Sequence, residues 1–81
     1  MNLTIRFFAT LKDRVGAAHL EIEIPEPATV NTLLTTLVQR FPALELALDS
    51  IIVAVNQEFA DPGQILAADD EIVLFPPVSG G

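Results

Sequence analysis

Residues 30–41 read VNTLLTTLVQRF, with Val30, Leu33, Leu34, Leu37, Val38 and Phe41 at the i, i+3, i+4, i+7 spacing of one apolar helix face. Asn31, Thr32, Thr35, Thr36, Gln39 and Arg40 fall elsewhere on the wheel. Thr29 is suited to cap the first turn, because its hydroxyl can accept from an unpaired amide. Arg40 complements the helix dipole at the other end. Pro42 disfavours helical geometry at Phe41 and closes the element. Three threonines make this a poor helix in isolation, so packing must hold it. A single greasy stripe of this kind needs a sheet face to cover it.

Strand patterns lie on both sides of the helix. Upstream, Leu3, Ile5 and Phe7 alternate with Thr4 and Arg6, the period of a strand with one buried face. Phe8 breaks that parity and is predicted on the outer face. Residues 10–16 read as a polar connection, anchored by Leu11 and Val15 and turned at Gly16. Leu20, Ile22 and Ile24 alternate with Glu21 and Glu23 until Pro25 and Pro27 stop the strand. Proximity in sequence predicts an antiparallel hairpin between these two strands.

Downstream, residues 43–49 predict a short helical turn with Leu44 and Leu48 inward. Ile51 to Val55 is an unbroken apolar run, predicting a central strand buried on both faces or beside a helix. Asn56-Gln57 predicts a turn, with a short strand near residues 57–59. Asp61-Pro62-Gly63 and Asp69-Asp70 mark further breaks. In a last strand, Ile72 and Leu74 alternate with Glu71, Val73 and Phe75, and Pro76-Pro77 ends it. Strand, strand, helix, then strands on one mixed sheet is an α+β chain with the β-grasp arrangement of ubiquitin. The predicted division is a folded domain over residues 1–76 and a flexible tail over 77–81.

Composition narrows the chemistry. The 81 residues fit one domain, and 51% hydrophobic residues can fill its core. There is no cysteine, which removes disulfides, thiolate metal sites and a cysteine nucleophile. His19, the lone histidine, reads as a surface residue at the start of the second strand. Ser50 and Ser79 lack a nucleophile-elbow pattern. Eleven acidic residues against four basic ones disfavour nucleic acid, since phosphate contacts need clustered Lys and Arg. Asp69-Asp70-Glu71 reads as a solvated turn, without the ligand spacing of a calcium site. Glu45 and Asp49 share a helical spacing but no evident pocket. No membrane span or signal peptide is visible, so a soluble cytoplasmic protein without bound cofactor or metal is expected.

The most informative segment is Phe75-Pro76-Pro77-Val78-Ser79-Gly80-Gly81. Prolines stiffen its base, and the four residues after them span roughly 13 Å when extended. Gly80 and Gly81 lack β-carbons and can enter a narrow channel. Such a tail can carry a carboxylate on Gly81 into another protein's active site. An ATP-dependent partner can convert a carboxylate to an acyl adenylate, and a sulfur nucleophile then displaces AMP to leave a thiocarboxylate. Termini commonly end in small residues without any such role. Here the motif and the chain end coincide, which favours the reactive reading. Phe8 and Phe75 fall off the inward face, and Phe59 follows a turn. The three either complete the core or form an exposed patch that docks a partner. A tail that must be delivered to an active site favours the patch.

Four stretches together resemble the ubiquitin-like MoaD/ThiS family of sulfur carriers. They are Phe7-Phe8-Ala9 with Val15-Gly16, Ala54-Val55-Asn56-Gln57, Asp69-Asp70-Glu71-Ile72, and Phe75 to Gly81. The last is the specific one, and the Phe-Pro-Pro-Val stem is most similar to the MoaD branch, the small subunit of molybdopterin synthase. The resemblance implies a β-grasp fold. It implies adenylation of Gly81 by a MoeB-like enzyme that uses ATP, and conversion to a thiocarboxylate. It implies delivery into a MoaE-like large subunit, where sulfur passes to cyclic pyranopterin monophosphate in molybdenum cofactor biosynthesis, with two small and two large subunits in a heterotetramer. Catalytic side chains would then belong to the large subunit. Phe8, Phe59, Phe75, Pro76, Pro77, Val78, Ser79 and Gly80 are the expected partner-binding residues. Two alternatives stay open: a carrier for another pathway, ThiS-like, or a ubiquitin-like modifier whose tail is conjugated to lysines.

Overall fold

The computed structural model describes residues 1–77. Five strands form one mixed sheet: β1 (Asn2–Phe7), β2 (His19–Glu23), β3 (Ile52–Val55), β4 (Glu58–Phe59) and β5 (Glu71–Phe75). Their spatial order is β2-β1-β5-β3-β4. β1 runs parallel to β5, and every other neighbouring pair is antiparallel. The helix α2 (Val30–Arg40) connects β2 to the second half of the sheet. A parallel central pair flanked by two hairpins, with the helix in the crossover, is the α+β β-grasp arrangement expected from the alternation.

Side-chain parity carries the core. Leu3, Ile5 and Phe7 of β1 are each at most 1% exposed. The register sets Leu3 against Ile22, Ile5 against Ile72, Phe7 against Leu74 and Val53 against Leu74. All of these residues therefore share one face. Val30, Leu33, Leu34 and Leu37 of α2 join the same buried cluster. Thr29 caps α2 as expected, its Oγ1 accepting from the Thr32 amide at 3.2 Å. The helix ends at Arg40, and the Phe41 amide donates to the Leu37 carbonyl at 2.7 Å. No polar or charged side chain is buried among the described residues. No helix among them is long and apolar enough to cross a membrane.

Two expectations are corrected. Residues 10–16 are not a polar loop: Thr10–Val15 form a helix, α1, with Leu11 fully buried. No side chain caps its start, where Ala9 has φ 52°. Gly16, at φ 85°, closes its end and donates to the Lys12 carbonyl at 2.8 Å. Two apolar residues four apart anchor this one turn by tertiary burial, which a polar composition conceals. The short helical turn is longer than expected and is a 3₁₀ helix over Pro42–Ser50; Leu44 is buried and Leu48 half-buried, as their spacing suggested. The apolar run makes an interior strand, as expected: β3, from Ile52, lies between β5 and β4 with Val53, Ala54 and Val55 buried, and β5 takes the middle place of the five.

The turns obey local chemistry. Asn56 and Gln57 take φ of 52° and 72°, the left-handed pair that a two-residue hairpin of this twist requires. The Asn56 side chain donates to Asp70 Oδ1 at 2.9 Å and accepts from the Glu71 amide at 3.0 Å. Asp70 Oδ2 accepts from the Ala67 amide at 2.8 Å. Asp70 thus works as a turn brace, tying the approach to β5 against the β3–β4 hairpin.

Candidate docking site

The inward residues of β5, Ile72 and Leu74, are buried, so Val73 and Phe75 must face the other side of the sheet. Register brings further apolar residues to that side. Ile52 lies opposite Phe75, and Ala54 lies opposite both Val73 and Phe59. Phe59 is 83% exposed there. Phe8 follows β1 and extends the parallel ladder, its amide donating to the Leu74 carbonyl at 3.1 Å. That bond sets its ring on Phe75, with centroids 5.2 Å apart and planes 18° from parallel. Phe8 remains 45% exposed and Phe75 half-buried. Phe8 and Phe75, off the inward face by parity, and Phe59, after its turn, thus share one partly exposed aromatic face.

These rings line a groove of about 380 Å³, together with Ala9, Ile52, Pro76 and Pro77. Its side chains offer apolar contact and no titratable group, so the groove can dock an apolar partner surface but cannot move a proton. Ala9 turns the chain away at φ 52° and ψ −130°, a conformation rare for a residue with a β-carbon. The turn leaves Phe8 on the sheet while Leu11 returns to the core. Ile52 and Ala9 are groove residues that the sequence reading did not single out. Ile52 carried no face label in the sequence, because an unbroken apolar run has no alternation; in the structure, burial of Val53 and Val55 puts it on the opposite face. For Ala9 there was no signal either.

Other candidates fall apart from this site. His19, Glu45 and Asp49 are exposed and line neither groove. A second groove of about 460 Å³ lies beyond the opposite end of β1, lined by Met1, Glu26, Pro27 and residues 65–68, without an aromatic ring. Among the described residues no group of three His, Cys, Asp or Glu side chains is placed to hold a metal ion. The expected roles of Val78, Ser79, Gly80 and Gly81 lie outside the described residues. Pro76 and Pro77 bring the chain to the groove's edge directly after β5, so whatever docks there meets the base of the tail.

A ubiquitin-like β-grasp protein, with an apolar aromatic groove beside its C-terminal stem, is the class this fold and site define. Within that class the chain belongs to the ThiS family, whose profile matches residues 5–81. It is 39% identical over 84 residues to small archaeal modifier protein 1 of Haloferax volcanii, covering 94% of this chain and 97% of that protein. The crystal structure of that modifier aligns over the whole of both chains with a TM-score of 0.89 at 37% identity. The molybdopterin synthase sulfur carrier subunit of Arabidopsis thaliana is 30% identical over 81 residues, spanning all of this chain and 84% of that one. A chain of the protein–protein complex of subunits 1 and 2 of the Helicobacter pylori molybdopterin-converting factor aligns over the whole of both chains with a TM-score of 0.70 at 26% identity.

Proposed function

We propose that this chain is the sulfur-carrier subunit of a molybdopterin synthase, working in the cytoplasm with the carboxylate of Gly81 as its reactive group. The observation that carries the proposal is the aromatic groove of Phe8, Phe59 and Phe75 at the root of a Pro76-Pro77 stem that leads to Gly80-Gly81. Docking of a partner on this groove would seat the tail's base and leave the last residues to enter the partner's active site. Relatives named as molybdopterin synthase sulfur carriers, matching end to end at about the same length, support the reading.

The chemistry follows from the carboxylate. A MoeB-like enzyme would transfer AMP from ATP to Gly81 with release of pyrophosphate. A hydrosulfide-level sulfur nucleophile then attacks the acyl carbon, the bond to phosphate oxygen breaks, AMP leaves and a thiocarboxylate remains. In a MoaE-like large subunit the thiocarboxylate would give its sulfur to cyclic pyranopterin monophosphate, and water would restore the carboxylate. Two such transfers would build a dithiolene. The groove supplies positioning only; acid–base groups would come from the large subunit.

The test is the intact mass after incubation with ATP, a MoeB-like enzyme and a sulfur source. One oxygen-for-sulfur exchange localised to Gly81 is expected. An unchanged mass, with the same enzyme active on a known carrier, would overturn the proposal. A second reading has a specific observation behind it: the 39% identity to an archaeal modifier protein. In that reading Gly81 forms isopeptide bonds with lysines of target proteins, and gel-shifted conjugates in place of the thiocarboxylate would favour it.

A further inference from the structure

An acyl adenylate on Gly81 will react with any competent nucleophile, amines included, and this chain has very few amines to offer. Lys12 is its sole lysine. The Met1 nitrogen is half-buried and donates to the Ile24 carbonyl at 2.9 Å. Lys12 is exposed on α1, and its backbone amide donates to the carbonyl of Ala9, a wall of the aromatic groove, at 3.1 Å. It therefore stands at the margin of the face on which the activating enzyme would dock.

We propose that Lys12 is an acceptor site for the activated carboxyl group of a second copy of this chain, so that activation without sulfur yields a homotypic conjugate of a single linkage. The inference rests on the activation of Gly81 proposed above. In the step, the free-base amine of Lys12 attacks the acyl carbon of the adenylate. A C–N bond forms, the acyl–phosphate oxygen bond breaks, AMP leaves and the amine's proton passes to solvent. ATP is the only co-reactant. Sulfur and Lys12 compete for one electrophile, so sulfur supply decides between carrier and conjugate. With one lysine per copy, successive additions can only extend an unbranched chain.

The experiment incubates the full chain with ATP and the adenylating enzyme, with and without sulfide, and reads the products by denaturing gel and tandem mass spectrometry. Without sulfide, a hydroxylamine-resistant dimer linked from Gly81 to Lys12 is expected. With sulfide, the thiocarboxylate should replace it. Lys12→Arg keeps the charge and should reduce the dimer to background while forming the thiocarboxylate as fast as the parent chain. A dimer that survives in Lys12→Arg, or one linked to the Met1 amine, overturns the assignment. So does the absence of any dimer when the same enzyme makes the thiocarboxylate. If neither product forms, the activation of Gly81 fails, and the inference fails with it.

Discussion

Phe59 contributes almost nothing to the core, being 83% exposed on the two-residue strand β4. An aromatic ring held in water beside two others is costly unless something covers it. Phe59→Ala should therefore leave unfolding free energy within about 0.5 kcal/mol of the parent. The same change should weaken binding to a MoaE-like large subunit by about tenfold or more, roughly 1.4 kcal/mol, in calorimetric titration. Phe75 is half-buried and stacked on Phe8, so Phe75→Ala should cost some stability, with the loss in binding the larger of the two. A variant that loses stability but binds normally would remove the groove from the docking surface. Asn56 works differently, since its side chain bridges the hairpin to β5 and its backbone sits at φ 52°. Asn56→Ala loses both hydrogen bonds and adds left-handed strain, and should destabilise by about 1–2 kcal/mol in urea unfolding. Asn56→Gly should recover part of that loss by removing only the strain.

At the scale of elements, α1 is the instructive case. Its six residues are too few to be stable alone, and no side chain caps its start. Leu11, with no exposed surface, holds it to the core, and Arg14 holds it to the 3₁₀ helix by donating to the Ala43 carbonyl at 3.0 Å. Leu11→Ala should cost about 2–5 kcal/mol, a large fraction of a small domain's stability, measured as the shift in urea midpoint at constant slope. A change below about 1 kcal/mol would mean that α1 is not anchored there. The long elements were legible because their periods repeat: α2 shows its stripe through three turns, and β1, β2 and β5 alternate cleanly. A single turn of helix offers one i, i+4 pair, Leu11 and Val15, too little for a period to stand out from a loop. The 3₁₀ helix was legible for its inward Leu44 and Leu48 but not for its length.

For the whole molecule, the proposed function divides the labour between a folded body that would dock and a terminus that would react. Adding one residue after Gly81 should abolish thiocarboxylate formation, read by intact mass, and leave the thermal midpoint unchanged. Sulfur transfer at the parent rate from the extended chain would refute the mechanism. Cysteine content, acidic balance, the alternating strands, the stripe of α2 and the Gly-Gly end were all determined by sequence alone, because each is a property of residue type or of spacing along the chain. So was the off-face parity of Phe8 and Phe75, since a pleated strand sends successive side chains to opposite sides. Only the tertiary structure decided that β5 and not β3 is the centre of the sheet, because two apolar strands carry no label for their neighbours. It alone brought Phe59 and Ile52 beside Phe8 and Phe75, from three separate segments of the sequence, because strand register is set by how the whole core closes.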